Sequence, residues 1–380
     1  MIQKVANGYI LHNFEDSCSI EQHDIFIQNG KVISAEYSSN FTTEIDYSGF
    51  VLIPSFFNMH CHLGESIFKG ISGEQWTLKK YLEYTETFQQ SLTSLEQDRL
   101  WNESAFETVC SLYEAGISGF CAGRAIDFPT IKMNRMAGYP IMNSAKLKKF
   151  RLAGIDGFQN YLLANQSETC SVGIFLHSLY KNDVSSLLLA KACMDNGAEF
   201  ITVHVAEDTE TAELEKSRFG KTAVQTLQDY GLLTNKTILV HCGFVEDCDF
   251  SLIAKGGSSV AVCPISNQFL NNRLPDISLL DTYQIPWYLS TDGLATGRTF
   301  SLFKQGRVLK QAFPYVSWHR IFQSFTLLPA RIFGRNHYSG NIRPGEQAVF
   351  LAVQTTETNI DTFFEGLFHE KWNWHLFYGG

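Results

Sequence analysis

The pattern of apolar and polar positions changes twice along the chain. Residues 1–50 alternate short apolar runs with turn signals, and QNG (28–30) between HDIFI and KVISAEY predicts a hairpin turn. Over 51–340 apolar runs of strand length alternate with longer amphipathic segments, an order typical of a parallel sheet with helices. Short strand-like runs return over 341–380, in QAVFLAV and HLFYGG. We therefore predict a central α/β domain and a β-rich module that combines both chain ends.

The central segment contains eight apolar runs of strand length. They are VLIPSFF (51–57), ISGFCAG (117–123), YPIMNSA (139–145), SVGIFLH (171–177), FITVHVA (200–206), TILVHC (237–242), SSVAVCP (258–264) and IPWYLSTD (285–292). Helix-like segments between them include 94–115, where Thr93 and Glu96 form a capping box, and 221–230, which Gly231 ends. Eight strand–helix units predict a (β/α)8 TIM barrel.

Charge and cysteine content restrict the class of partner. The net charge is -9 and Lys and Arg do not cluster, so we expect no nucleic-acid partner. The start of the chain lacks the features of a secretory signal, and no apolar stretch approaches the roughly 18 residues that cross a bilayer. The nine cysteines include no C-x-x-C pair, which favours reduced thiols. We expect a cytoplasmic protein without a membrane partner, and a homodimer is left open.

Metal-binding residue types fall at the ends of several predicted strands. They are His60 and His62 on the first, His177 on the fourth, His204 on the fifth, His241 on the sixth and Asp292 on the eighth. The carboxyl ends of barrel strands meet on one face, where active sites are built, so these side chains should converge. An isolated H-x-H pair is a weak signal, and a single histidine is more often a core residue. The joint placement at strand ends is what predicts a site.

Four of these residues make a plausible metal site. Alternate residues of a strand point the same way, so His60 and His62 can direct two nitrogens to one point. His204 and Asp292 would complete a mixed nitrogen and oxygen set suited to zinc or ferrous iron. Such an ion lowers the pKa of bound water to about 7 and produces a hydroxide nucleophile.

Hydrolysis by such a hydroxide also requires proton transfer. Glu207, three residues beyond His204, could carry a proton to the leaving group. Asp292 could take the first proton from the water. His241 could direct the hydroxide or stabilise charge on the adduct.

Substrate contacts are expected from fewer signals. His177 ends a strand and could bind substrate, with a structural hydrogen bond as the alternative. Glu65 and Trp76 lie in the loop after the first barrel strand and could line a pocket, whereas Lys69 fits a solvated loop. Cys61 lies between the two histidines and should point into the core.

These motifs together resemble the amidohydrolase superfamily, in the branch that holds cytosine deaminase, guanine deaminase, adenosylhomocysteine deaminases and triazine hydrolases. The similar segments are LIPSFFNMHCHLGES, FLHSLY, HVAED, GKTAVQTLQDYGLLTNKTILVHC, CPISNQFL and LSTDGLAT. The resemblance implies that the terminal module is a small composite β-sandwich formed by both chain termini. It also implies one divalent metal per chain, zinc in preference to iron, bound by His60, His62, His204 and Asp292. Glu207 and His241 are then catalytic, and His177 lies near the substrate.

The expected activity is a hydrolytic deamination. The resemblance implies release of ammonia from an amino-substituted N-heterocycle, which could be a purine, pyrimidine, pterin or nucleoside-like compound. CPISN, STDGL and the tail FFEGLFHEKWNWHLFYGG also resemble aminofutalosine deaminases, which makes that compound one candidate. One alternative keeps the site but cleaves a C–Cl or cyclic amide bond. Another is a catalytically silent barrel that serves as a binding protein, although no ligand and no acid is lost.

Overall fold

The computed structural model describes residues 1–36, 41–71, 76–124, 133–144, 147–333 and 338–379. Two compact units make up the chain. One comprises Met1–Phe57, Leu112–Ser118 and Ser301–Gly380, and the other comprises Asn58–Ser111 and Gly119–Phe300. The predicted domain limits at 50/51 and 340/341 stay a prediction. Among the described helices, none combines the length and hydropathy needed to cross a bilayer, and the cytoplasmic location stays a prediction.

The described strands and helices follow one another along the whole chain. The strands are β1 (Ile2–Ala6), β2 (Tyr9–Asn13), β3 (Cys18–Gln22), β4 (Ile25–Gln28), β5 (Lys31–Ile33), β6 (Thr43–Asp46), β7 (Phe50–Pro54), β8 (Phe56–Cys61), β9 (Ile117–Gly123), β10 (Asn134–Ile141), β11 (Cys170–Ser178), β12 (Ile201–Val205), β13 (Thr237–His241), β14 (Ser259–Val262), β15 (Trp287–Leu289), β16 (Val349–Gln354) and β17 (Trp374–Tyr378). The helices are α1 (Leu78–Gln90), α2 (Ser94–Glu114), α3 (Lys148–Asn165), α4 (Val184–Asp195), α5 (Thr209–Phe219), α6 (Ala223–Asp229), α7 (Asp247–Gly256), α8 (Pro264–Phe269), α9 (Ile277–Thr282), α10 (Leu302–Ala312), α11 (Trp318–Gln323), α12 (Leu327–Phe333) and α13 (Ile360–Phe368).

The first unit contains two small sheets. One has the strand order β5-β4-β1-β6 and the other has the order β17-β16-β7-β2-β3. Val5 and Ile27 of the first sheet share a buried apolar cluster with Leu52 and Phe350 of the second. Strands from both chain ends therefore form a β-sandwich, as predicted.

The predicted first barrel strand, VLIPSFF, is in fact two strands. β7 pairs with β16 and β2 in the sandwich, whereas β8 belongs to the eight-stranded sheet. Ser55 separates them, and its hydroxyl lies 2.6 Å from the hydroxyl of Ser118. Both halves of the run are apolar and buried, so hydrophobicity alone could not reveal the break.

The second unit is built on a parallel eight-stranded sheet in the order β8 to β15. The N–H of Asp292 donates to the carbonyl of His60 at 3.2 Å, where the last and first strands meet. Asn58 on β8 also hydrogen-bonds the Thr291 hydroxyl, at 2.7 Å. These contacts support a nearly closed barrel and confirm the predicted fold class.

Local signals for the elements were mostly accurate. β9 matches its predicted run, but the third strand, β10, begins at Asn134, before the predicted YPIMNSA. Thr93 and Glu96 make both reciprocal hydrogen bonds of the predicted capping box before α2. Gly231 has a φ of 65°, which fits its predicted position after α6.

Candidate active site

Three imidazoles and one carboxylate converge at the carboxyl ends of the barrel strands. We call His60, His62, His204 and Asp292 the barrel cluster. The Asp292 Oδ1 atom lies 3.2 Å from Nε2 of His62 and 3.5 Å from Nε2 of His60. Nε2 of His62 lies 3.3 Å from Nε2 of His204. Four ligands around an ion with bonds of about 2.1 Å are about 3.4 Å apart, so the spacing fits a tetrahedral metal.

Neighbouring groups orient the donors of this cluster. The His204 Nδ1 atom lies 2.5 Å from the His177 carbonyl, so it is the protonated donor and Nε2 keeps its lone pair. The Asp292 Oδ2 atom accepts hydrogen bonds from Ser266 at 2.6 Å and from Thr296 at 2.9 Å. The Oδ1 atom is thereby left to face the imidazoles. Such supporting hydrogen bonds are typical of metal ligands.

The electrostatics of the cluster fit a divalent cation. His60 is fully buried, and burial lowers its pKa to about 4, so the ring is neutral. Within the described residues the Nδ1 atom of His60 has no hydrogen-bond partner, which is costly for a buried polar group, and its Nε2 lies 3.5 Å from Asp292 Oδ1. Burial alone would raise the pKa of Asp292, but hydrogen bonds from His60 and His62 outweigh it and hold that pKa well below its usual range. A cation would satisfy the neutral imidazole and the ionised carboxylate together.

Glu207 and His241 form a second pair beside the cluster. Glu207 Oε1 lies 3.6 Å from His241 Nε2, and Glu207 is only 6% exposed. Burial raises the pKa of Glu207 to about 7, against an opposing effect of His241. The His241 Nδ1–H donates to Asn267 Oδ1 at 3.1 Å, so its Nε2 points to the site. The ligand atoms of His60, His204 and His241 also lie within 4.8 Å of one another. A carboxyl with a pKa near neutrality can both donate and accept a proton.

Several residues at this face have left-handed backbone. The φ angles are 45° at Ala206, 69° at His241, 55° at Cys242 and 61° at Asp292. This conformation costs a non-glycine residue roughly 1–2 kcal/mol. Strain of this kind concentrates at functional sites, where the surrounding structure enforces a required direction of the side chain.

His177 lies beside the cluster, and its predicted contact with substrate stays a prediction. Its ring centre is 4.9 Å from that of His204, and its Nδ1 lies 3.0 Å from the Ser178 hydroxyl. Burial lowers the pKa of His177 to about 3, so the ring is neutral. Its carbonyl fixes the tautomer of His204, so His177 also has the structural role that was the alternative.

Glu65 lies next to the barrel cluster because Gly293, which follows Asp292, has no side chain and leaves room for its carboxyl group. A Cβ atom added at Gly293 would lie 2.0 Å from Glu65 Oε2, so the carboxyl group packs on the residue that follows Asp292. Burial raises the pKa of Glu65 to about 7. The Tyr81 hydroxyl lies beside this carboxyl group and opposes the rise in its pKa.

Trp76 lies in an aromatic group of its own. Its ring stacks on Phe269 of α8, with ring centres 6.4 Å apart, and packs edge-on against Tyr84 of α1 at 5.7 Å. Within the parts of the chain that the structure describes, its ring contacts do not include the imidazoles. Trp76 is thus placed in the loop that follows β8, but its predicted contact with substrate is not tested.

Sequence reasoning missed Glu215, a buried residue of α5. Glu215 is 1% exposed, and its Oε2 accepts the Ala206 N–H at 3.2 Å. The amides of Leu179 and Tyr180 also hydrogen-bond to it, although burial still raises its pKa to about 8. Ala206 directly precedes Glu207, so Glu215 supports the strained turn that carries the catalytic candidate. In the sequence it lies in ETAELEK, a segment typical of a solvated helix face, which gave no signal.

Ser266, Asn267 and Thr296 were also missed as supports of the site. The Asn267 side chain accepts a hydrogen bond from His241 and donates to the Arg273 carbonyl at 2.6 Å. Ser266 and Thr296 were not singled out. Their position directly after the seventh and eighth strands was the available signal.

Fold and site together define the class. A parallel (β/α)8 barrel presents H-x-H, a third imidazole and a strand-end aspartate on one face, with an acid–base pair beside them. This arrangement is that of a metal-dependent hydrolase. The profile of the Amidohydrolase family matches residues 51–373, and the chain belongs to that family. The prediction of a hydrolase that acts on C–N bonds is thereby confirmed.

Relatives and solved structures of known activity resemble the chain over most of its length. A 5-methylthioadenosine/S-adenosylhomocysteine deaminase from Pyrococcus abyssi is 22% identical over 297 residues, which cover 75% of this chain and 68% of the relative. A zinc-bound adenosine deaminase from Xanthomonas campestris has a TM-score of 0.83 at 16% identity and covers 100% of this chain and 91% of its own. An atrazine chlorohydrolase variant from Arthrobacter aurescens, complexed with zinc and atraton, has a TM-score of 0.81 at 15% identity, with coverages of 96% and 91%. At such identity the two structural likenesses show the fold alone.

Proposed function

We propose that the chain is a hydrolytic deaminase that releases ammonia from an amino-substituted N-heterocycle. The observation that carries the proposal is the Glu207–His241 pair, with its Oε1 to Nε2 distance of 3.6 Å, directly beside the barrel cluster. The site therefore combines a place for a metal with a buried acid–base group. Deaminase relatives in sequence support the same reaction.

The barrel cluster is the proposed metal site. His60, His62, His204 and Asp292 offer three nitrogens and one oxygen, a set that suits zinc and also accommodates ferrous iron. When bound, a divalent cation supplies an activated water and polarises the substrate. One zinc ion per chain is the occupancy that four donors around one point support.

Protons move through the side chains next to that site. Water adds its oxygen to the ring carbon, the bond from that carbon to the exocyclic amine breaks, and ammonia leaves. Asp292 Oδ1, which faces the imidazoles, accepts the first proton of the water. Glu207 delivers its proton to the ring nitrogen, accepts the hydroxyl proton of the adduct and passes it to the amine, and the proton held by Asp292 then regenerates the acid; its pKa of about 7 allows both directions. His241 directs the attacking oxygen with Nε2, because Asn267 holds its other nitrogen.

The proposed substrate is a purine-like or nucleoside-like amine. The relatives are named for 5-methylthioadenosine and S-adenosylhomocysteine. Both compounds carry their amino group on an adenine ring, and this favours an adenine ring in the substrate of this chain as well. His177 and Glu65 are the proposed contacts beside the reacting ring, and the Tyr81 hydroxyl lies beside Glu65. Trp76, which like Glu65 follows β8 in the chain, is proposed to line the substrate pocket.

Ammonia release from a panel of amines tests this proposal. Zinc-loaded protein is incubated with 5-methylthioadenosine, S-adenosylhomocysteine, adenosine, aminofutalosine, guanine, aminopyrimidines and aminopterins, and ammonia is measured by a coupled assay. We expect turnover of at least one purine-like compound. Glu207→Gln should abolish it while the metal stays bound, and Glu213→Gln on the exposed face of α5 is the matched control.

Two outcomes would contradict the proposal. Folded, metal-loaded protein that releases no ammonia but liberates chloride from a chlorotriazine would establish the alternative hydrolase. Protein that binds no metal and turns over no compound would establish a binding role for the barrel.

A further inference from the structure

A second group of metal-binding side chains lies on the β-sandwich. His12 belongs to β2, Glu21 belongs to β3, and His23 follows β3 directly. One ligand atom from each lies within 4.8 Å of the other two. We call these three residues the sandwich cluster. The proposed deamination uses none of them.

The strand register brings the three side chains to one face. β2 and β3 are antiparallel, with His12 opposite Ser19 and Ile10 opposite Glu21. His12 and Glu21 are therefore diagonal neighbours on the same side of the sheet. His23 lies two residues after Glu21. β3 is the edge strand of its sheet, so this corner is accessible from outside.

Side-chain geometry within the cluster leaves donors for a ligand. His23 Nε2 lies 3.2 Å from Glu21 Oε2, and Ser19 donates to Glu21 Oε1 at 2.8 Å. The rings of His12 and His23 meet edge to face, with their centres 5.6 Å apart. Within the described chain, Nε2 of His12 is buried and has no hydrogen-bond partner. The ion pair of His23 and Glu21 does not satisfy that nitrogen.

We propose that His12, Glu21 and His23 bind a second divalent transition metal, such as zinc, which fastens the edge strand β3 to β2. Two imidazole nitrogens and one carboxylate oxygen are a recurrent zinc ligand set, with water in the remaining position. Ser19 orients the carboxylate, as supporting groups do in metal sites.

The surrounding charges are compatible with a cation. Burial lowers the pKa of His12, so its ring is neutral and able to bind at pH 7. Glu21 favours a positive charge, whereas His23 when protonated and Arg343 oppose one. Imidazole ligands select zinc, nickel or copper over magnesium and calcium, which prefer oxygen. Selectivity against magnesium is therefore part of the proposal.

Zinc titration of protein whose barrel site is already loaded tests this inference. Calorimetry should show one further equivalent bound by wild type, no response to magnesium, and a rise in the thermal midpoint. His12→Gln and His23→Gln should each weaken that binding by about tenfold or more, because each removes one of three protein ligands. His369→Gln is the matched control, since His369 pairs with Glu365 at 3.3 Å outside the cluster.

The titration can also contradict the second metal site. If wild type binds no further equivalent of zinc, the proposal is overturned. If His369→Gln loses as much zinc affinity as His12→Gln, the binding is adventitious surface binding only, and the proposal is overturned as well. A cobalt-loaded sample gives a second readout, because the tetrahedral absorption of a second equivalent should vanish in His12→Gln. Deaminase activity should be unchanged in His12→Gln and His23→Gln, so failure here is distinct from failure of the proposed function.

Discussion

The barrel cluster and the sandwich cluster use the same kinds of donor in opposite surroundings. His60 is fully buried, whereas the side chains of His23 and Glu21 are 54% and 56% exposed. In the barrel cluster, hydroxyl and carbonyl groups hold the donors in place before any metal arrives. In the sandwich cluster, Ser19 and His23 contact the Glu21 carboxylate, and His12 Nε2 has no hydrogen-bond partner in the described chain. Binding requires only donors, but catalysis also requires that water be excluded and the donors be preorganised.

Backbone strain separates the two regions in the same way. His241 and Asp292 have left-handed φ angles at the barrel site, while His12, Glu21 and His23 have none. Strain persists only where the structure around it enforces the conformation. The barrel site is thus built at a cost in folding free energy, and the sandwich site is placed on ordinary strands.

Removal of one ligand from each cluster should give the largest contrast. His204→Ala should reduce turnover to background and release the barrel metal, because it removes a buried donor from a site that activates water. His12→Ala should leave turnover unchanged. Steady-state rates and metal content of both proteins check this, and comparable loss of activity in the two variants would contradict the division of roles.

Removal of the two hydroxyls that donate to Asp292 Oδ2 should lower the affinity of the barrel cluster for its metal, although no ligand is removed. The double variant Ser266→Ala with Thr296→Val should lower zinc affinity by about 10- to 100-fold. The matched control is Ser258→Ala with Thr226→Val, two buried hydroxyls that bond to backbone carbonyls elsewhere in the barrel. Competition with a chelator measures the affinity, and an equal shift in both double variants would show that packing, not orientation, is responsible.

Glu215 should affect turnover indirectly, because it holds Ala206 and thereby the position of Glu207. Glu215→Ala removes the acceptor of the Ala206 N–H and should lower kcat roughly 10- to 100-fold, since small displacements of catalytic groups are costly. Zinc content should not change. Glu215→Gln keeps one carbonyl acceptor and should restore most of kcat, while Glu213→Ala on the exposed face of the same helix should have no effect. If Glu215→Gln is as slow as Glu215→Ala, the carboxyl group has a role other than this hydrogen bond.

A separate effect of Glu215 is expected on the pH dependence of the free energy of unfolding. Burial raises the pKa of Glu215 from 4.5 to about 8, so the folded state holds its proton more tightly than the unfolded state. Stability is therefore lost as pH rises from about 4.5 to 8, by about 1.4 kcal/mol per pH unit. Glu215→Gln should make the slope in urea unfolding between pH 5 and pH 7 shallower by this contribution, while Glu65 and Glu207, whose pKa values burial raises to about 7, keep theirs.

The exposed Glu21 is the control for the effect of Glu215 on the pH dependence of unfolding. Hydrogen bonds from Ser19 and His23 lower the pKa of Glu21, so it titrates below this pH window. Glu21→Gln should leave the slope between pH 5 and pH 7 as in wild type. A slope in Glu215→Gln as steep as that of wild type would assign the pH dependence to other buried groups.

Periodicity and strand-end placement were enough to predict the barrel, and they placed the four candidate donors on the face where the structure brings them together. Their role as metal ligands stays a prediction. His60 and His62 share a direction because strand residues alternate, and His204 and Asp292 follow runs that only a buried strand explains. The break at Ser55 was not predictable, since VLIP and FF are equally apolar. Glu215 was not predictable either, because a charged residue of a surface helix becomes buried only through packing against strand ends.

The sequence by itself determined the fold class, the kinds of donor and their strand ends, because hydrophobic periodicity and side-chain chemistry are local properties. Only the tertiary structure decided which atoms face one another. The His177 carbonyl fixes the tautomer of His204, Gly293 admits the Glu65 carboxyl group, and strand register places His12 beside Glu21. These contacts join residues that pairing and barrel closure bring together, and no local pattern records that register.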